Sequence, residues 1–153
     1  MANTYSQIHL HFIFCPKYRL SLIDSSWENE LFRYICGITE RNNHKMISIN
    51  GMADHLHMLV GFRTNQSIAD FMQDVKADSS QWINRNKFCK SRFDWQTGYG
   101  VFSYSKSQIS DVINYIQNQK QHHKKINFLD EYKLILQKFE VDYNEQYIFK
   151  HPE

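Results

Sequence analysis

The chain has 153 residues, 42% of them hydrophobic, and carries a net charge of only +2, from 18 Lys+Arg against 16 Asp+Glu. That length suits one domain able to bury its own core, and the near-balanced charge means that any nucleic-acid contact must come from how basic residues are distributed. No apolar run approaches the 18 or so residues of a membrane span, and no basic segment leads into an apolar stretch at the N-terminus, so a cytoplasmic protein is expected. Cys15, Cys36 and Cys89 are odd in number and widely spaced, which favours reduced thiols over a disulfide frame or zinc ribbon.

In chain order, Tyr5 to Phe14 is rich in β-branched and aromatic residues and reads as a first strand, ended by Pro16. Ser25 and Glu28 have capping-box spacing, and Leu31, Tyr34, Ile35 and Ile38 repeat at helical intervals until the polar run Glu40 to Asn43. Lys45 to Asn50 reads as a second strand, and Gly51 to Asp54 as a hairpin turn into a third, antiparallel one.

Ser67 with Asp70 opens a second helix reaching about Arg85. A basic loop follows, and Phe93 to Tyr104, with Gly98 and Gly100, reads as a fourth strand. Ser105 with Gln108 then caps a helix running to about Lys125, and Phe128 to Val141 reads as one more, with Leu129, Tyr132, Leu136 and Phe139 as its apolar positions. Asp142 to Glu153 reads as a polar, aromatic tail or partner contact.

Strand, helix, strand, strand, helix, strand is the ferredoxin-like βαββαβ plan, an α+β fold with a four-stranded antiparallel sheet, here with an added C-terminal tyrosine-bearing helix. The first and third strands are then central neighbours. A single domain is expected over 1–153, with a core at about 5–125 and a C-terminal helix and tail at about 126–153.

The third strand carries the chemistry. In Asp54-His55-Leu56-His57-Met58-Leu59-Val60-Gly61, alternation sends His55 and His57 to one face. Two imidazoles on one face can bind one cation and leave positions open for a substrate oxygen. A second pair, His9-Leu10-His11, has the same spacing, so spacing alone does not choose between them. On the helix after Ser105, Ile109, Val112, Ile113 and Ile116 form the apolar stripe; Tyr115 lies to one side of it, and Gln119, four residues on, shares its face. A phenol that can attack and an amide oxygen that can ligate metal thus reach a common point. Basic residues gather at Lys17 and Arg19, at Arg85 to Arg92, and at Lys120 to Lys125, with aromatics such as Tyr18, Trp82, Phe93 and Trp95 nearby, a composition that suits single-strand binding as well as it suits core packing.

Four segments, His11-Phe12-Ile13-Phe14-Cys15-Pro16-Lys17-Tyr18-Arg19, Asp54 to Val60, Trp95 to Ser103 and Tyr115 to His123, stand in an order and spacing that resembles the insertion-sequence 200/605 family of HUH single-tyrosine transposases, the TnpA type. The resemblance covers about residues 5 to 132. It implies that His55 and His57 are the HUH histidines, that Tyr115 is the nucleophile, and that Gln119 is the third ligand of a divalent Mg²⁺ or Mn²⁺ ion; it leaves His9 and His122 outside catalysis.

It further implies a homodimer, with Tyr115 and Gln119 able to serve the partner's histidines. The expected activity is cleavage and rejoining of single-stranded DNA at hairpin-marked element ends, through a 5′-phosphotyrosine. Lys17, Arg19 and Lys120 are candidate DNA contacts from position and charge. Rival readings are a repeat-associated or domesticated relative acting on chromosomal hairpins, a non-catalytic ferredoxin-like nucleic-acid-binding module, and a metal-dependent hydrolase that uses water.

Overall fold

A computed structural model describes residues 4–144 and residue 148. Four strands, β1 (His9–Phe14), β2 (Lys45–Met52), β3 (His55–Gly61) and β4 (Gly100–Tyr104), form one antiparallel sheet in the order β2-β3-β1-β4. With α1 (Glu28–Arg41) after β1 and α2 (Ile68–Arg85) after β3, this is the expected ferredoxin-like arrangement, and β1 and β3 are the central pair.

The alternation of β3 divides the molecule into two layers. Leu56, Met58 and Val60 join Leu10, Phe12 and Phe14 of β1 in the main core, with Leu31, Ile35 and Ile38 of α1 and Phe71, Met72 and Val75 of α2. His55, His57 and Leu59 face the other way. There the sheet is covered by α3 (Ile109–Gln117), α4 (Gln119–His122) and α5 (Phe128–Lys138). Leu59 packs with Ile109, Val112 and Ile116, while Ile13, Cys15 and Phe102 pack with Phe128, Tyr132 and Leu136. A sheet buried on both faces explains why every residue from His55 to Val60 is buried.

Several boundaries differ from the sequence reading for physical reasons. The first strand is shorter, beginning at His9. β2 runs on to Met52, so the hairpin turn is Ala53-Asp54 alone. The fourth strand begins only at Gly100; its earlier part touches the sheet through one isolated bridge between Pro16 and Trp95. A Cβ on Gly100 would lie 2.6 Å from the Tyr132 hydroxyl, so the glycine is what lets α5 lie close on β4.

The Ser25–Glu28 box does not form. Instead, Asp24 accepts from the Ser26 amide through Oδ1 at 2.9 Å and, through its carbonyl, from the amides of Trp27 and Glu28. The Ser67 cap is as expected, accepting from the Asp70 amide at 3.1 Å.

The expected single helix from Ser105 to Lys125 is broken in two. Ser105 and Gln108 do pair at its start, through a short 3₁₀ turn, but α3 ends at Gln117 and α4 starts at Gln119. Asn50 of β2 explains the break: its Nδ2 donates 3.1 Å bonds to the carbonyls of both Ile116 and Gln117, satisfying acceptors at the end of α3 from outside the helix. The expected helix from Phe128 is present as α5, whereas most of the proposed tail lies outside the described residues.

Candidate active site

His55 and His57 are both fully buried, on the face of β3 that meets the C-terminal helices. Asp54, in the turn, accepts a bond from His55 Nδ1 at 2.8 Å. That fixes a proton on His55 Nδ1 and turns Nε2 inward. His57 is held similarly by β1: its Nδ1 lies 2.8 Å from His11 Nε2, a diagonal pair, since the register places His11 opposite Leu59. His11 Nδ1 is buried and has no hydrogen-bond partner among the described residues.

The helices bring the rest. Gln119, fully buried, places Oε1 3.0 Å from His55 Nε2 and donates from Nε2 to Glu131 Oε2 at 3.1 Å. The Tyr115 hydroxyl donates to the same Glu131 oxygen. Tyr115, Gln119, His55 and His57 therefore meet at one place within a single chain, so the tyrosine helix lies on its own histidines.

Glu131 is the residue that sequence reasoning missed. It is 2% exposed, and its Oε1 lies 3.2 Å from His57 Nε2, 3.5 Å from His55 Nε2 and 3.0 Å from His123 Nε2. His55, His57, His123 and Glu131 form a cluster whose ligand atoms all lie within 4.8 Å of one another. A signal existed: Glu131 sits three residues after Phe128 and one before Tyr132, inside the apolar stripe of α5, where a carboxylate should not be unless something pairs with it. His122 also approaches, at 3.3 Å from Glu131 Oε2. His9 lies outside this group.

The electrostatics suit cation binding. Burial pushes His57 down to about 4, against the pull of Glu131, and pushes His11 well below the usual range, so both rings are neutral near pH 7. Burial alone would raise Glu131, but bonds from His123 and His57 outweigh it and keep the carboxylate ionised. Neutral imidazole and ionised carboxylate are the forms that ligate metal. Burial, then the Glu131 charge, push the Tyr115 phenol up, away from the phenolate.

The candidate DNA contacts fare differently. Lys17 is exposed, on a turn where Tyr18 and Arg19 both take positive φ (61° and 55°) and where Gln96 Oε1 accepts from the Tyr18 amide at 2.9 Å. Lys120 is occupied in structure: its Nζ donates to Gly51 O at 2.6 Å, to Glu28 Oε2 at 3.1 Å and to Asn50 Oδ1 at 3.3 Å, holding α4 to the end of β2 and to α1.

Comparison with known families places the chain itself. The sequence model of the family described as Transposase IS200 like matches residues 4–119, three quarters of the chain. The protein belongs to the IS200-like transposase family.

Among relatives, the chain is 24% identical over 119 residues to the ISDra2 transposase TnpA of Deinococcus radiodurans, covering 74% of this chain and 84% of that one. It is 27% identical over 124 residues to the transposase for insertion sequence element IS200 of Salmonella typhimurium, covering 78% and 81%. The fold is similar to a crystal structure of a Deinococcus radiodurans R1 protein assigned as a transposase (TM-score 0.63, 22% identity, 78% of this chain and 95% of that one). It is also similar to a REP-associated tyrosine transposase bound to a REP hairpin (TM-score 0.61, 12% identity, 82% and 74%). The family match ends at Gln119, so His123 and Glu131 lie beyond it. No helix among the described residues is long and apolar enough to cross a membrane.

Proposed function

We propose that this IS200-like transposase cleaves and rejoins single-stranded DNA at hairpin-marked ends through a 5′-phosphotyrosine on Tyr115. The observation that supports it is the convergence of Tyr115, His55, His57 and Gln119 at one buried point. A tyrosine that were only structural would not need two inward-facing imidazoles and an ionised carboxylate around it.

A divalent cation such as Mg²⁺ or Mn²⁺, when bound at His55 and His57 with Gln119 as the family resemblance implies, polarises the scissile phosphate and offsets the charge that disfavours the phenolate. The remaining work belongs to the chain. Asp54 and His11 hold the two histidine rings in place through their Nδ1 atoms, as outer hydrogen bonds do at metal sites generally. Tyr115 Oη forms a bond to phosphorus in line as the bond to the 3′ oxygen breaks, and the hydroxyl proton faces Glu131 Oε2. The phosphodiester energy is kept in the phosphotyrosine, so another 3′-hydroxyl can displace the tyrosine and join a new strand.

DNA approaches through a cavity of about 340 Å³ beside the nucleophile, lined by Tyr104, Tyr115, His122, Glu131 and Lys138 among others. Lys17 and Arg19, on their strained turn, are the candidates for backbone contact. A homodimer follows from the family resemblance. Each chain's tyrosine already faces its own histidines, so exchange of helices is not required to complete a site.

The test is a denaturing gel of the protein with labelled single-stranded DNA carrying its own element ends. A metal-dependent shifted band, absent in Tyr115→Phe and in His55→Ala, is expected. Cleavage that persists in Tyr115→Phe overturns the tyrosine mechanism in favour of water, and hairpin binding without any covalent product leaves a binding module.

A further inference from the structure

We infer that the cavity beside Tyr115 is a nucleobase pocket, which takes the unstacked base of the nucleotide on the 3′ side of the scissile phosphate, the one that becomes joined to the tyrosine. The inference deepens the proposed reading of Tyr115 as the nucleophile and rests on it. Much of the wall belongs to α5, which lies beyond the segment that matches the family model, so the pocket is not carried over from that match.

Size and lining are the first argument. The cavity measures about 340 Å³. That is near the lower end of the roughly 300–1,000 Å³ that small-molecule sites occupy, which suits one base with its sugar and is too small for a duplex. Three rings border it, Tyr104, Tyr115 and His122, the last two with centroids 5.3 Å apart and planes crossing at 66°. Helix α5 adds Leu134 and Ile135. Leu134 is 58% exposed. A single exposed leucine is ordinary, but one that borders a cavity walled by rings supplies an apolar face on which a flat base can lie.

A base also needs partners for its edge. Tyr104 is half-buried, its hydroxyl has no hydrogen-bond partner among the described residues, and burial pushes its phenol up, so it remains a donor. Gln108 and Asp111, on either side of the start of α3, border the same cavity. A phenol, an amide and an acceptor-only carboxylate can together meet the N–H and lone-pair groups that every base edge carries. Lys138, exposed near the end of α5, sets a cation at the rim, suited to the phosphate that follows the base.

Stereochemistry selects the nucleotide. In an in-line displacement the leaving 3′ oxygen stands across phosphorus from the attacking Tyr115 Oη, so the upstream nucleotide points away from the tyrosine. The downstream nucleotide hangs from one of the equatorial oxygens and can fold back alongside the Tyr115 ring, itself a wall of the cavity. Its base stays tethered beside Tyr115 throughout the covalent intermediate. A pocket at that place holds the attached end until another 3′-hydroxyl arrives.

Single-turnover adduct formation on single-stranded DNA of the element ends tests this, with substrates that carry an abasic site on one side or the other of the mapped cleavage position. Loss of the downstream base should slow adduct formation about tenfold or more, and loss of the upstream base by less than about threefold. Leu134→Asp, at an exposed position, and Tyr104→Leu should each slow the intact substrate towards the abasic rate and shrink the difference between intact and downstream-abasic DNA, with hairpin affinity and thermal melting as folding controls. Shrinkage in either variant supports the assignment. A downstream-abasic substrate that reacts as fast as the intact one, equal slowing from loss of either base, or a difference of full size in both variants would overturn the pocket while leaving Tyr115 as the nucleophile. A wild-type protein that forms no adduct on intact DNA would instead remove the reading on which the pocket rests.

Discussion

His11 shows how much one residue away from the reacting atoms can do. Its Nε2 sits 2.8 Å from His57 Nδ1, and its own Nδ1 is buried without a partner among the described residues. For His57 to offer Nε2 to a cation, its proton must be on Nδ1 and donated to His11, which puts the proton of His11 on the unpartnered nitrogen. That arrangement is unfavourable without a ligand and worthwhile with one. His11→Phe, which keeps the volume and removes the acceptor, should lower Mn²⁺ affinity by about 10–100-fold, and His11→Gln, whose amide oxygen can accept from Nδ1, should recover most of it. Unchanged affinity in His11→Phe would show that His57 is oriented by packing alone.

At this scale the sequence was informative where alternation decided the answer, since His55 and His57 had to share a face. Glu131 is marked in the sequence only by being a carboxylate within the apolar stripe of α5, and nothing local says what pairs with it. The charge of Lys120 suggests a DNA contact, whereas its three acceptors come from β2 and α1, contacts that no local pattern encodes.

Among the elements, the joint between α3 and α4 sets the angle between Tyr115 and Gln119, and it is imposed from the sheet. Helical periodicity runs unbroken through Asn118, so sequence alone predicts one helix. The break depends on Asn50, 66 residues away from Ile116, capping two carbonyls. Asn50→Ala should cost about 1–2 kcal/mol in denaturant unfolding, for two lost bonds in a half-buried place, and should reduce covalent adduct formation more than it reduces hairpin binding. Equal loss of both would mean that the joint serves general stability and not the placement of Tyr115. The Ser25 box failed for a related reason: Asp24, one residue earlier, supplies the acceptors first. The Ser67 cap, with no competitor in the described contacts, formed as its spacing indicated.

For the whole molecule, the order β2-β3-β1-β4 was legible because six elements in sequence have few right-sized solutions, and that order places His11 beside His57. What the sequence could not show was that the second face of the sheet is roofed over β3, which turns an open histidine pair into a buried site.

Burial at a distance from the site carries its own signature. Lys76 of α2 donates to the carbonyls of Gln96 and Gly98, lies 5.6 Å from the Tyr99 ring and near Cys15, and is pushed down to about 8 by burial. Between about pH 8 and pH 10.4 the unfolded chain holds a proton that the folded protein has lost, so stability rises with pH across that window. Lys76→Met should remove that rise. A wild-type profile that is flat or falling relative to Lys76→Met between pH 8 and 10 would show that the ammonium is stabilised in place by its two carbonyls.

The residue to which DNA becomes attached separates the tyrosine mechanism from its rivals most directly. The decisive measurement is mass spectrometry of peptides from the protein trapped on single-stranded DNA bearing its element ends, after nuclease digestion to a residual nucleotide. The prediction is a 5′-nucleotide on the peptide containing Tyr115 and on no other. A nucleotide on the peptide containing Tyr104, whose ring is 6.1 Å from His11, or a cleaved strand with no modified tyrosine at all, would contradict it.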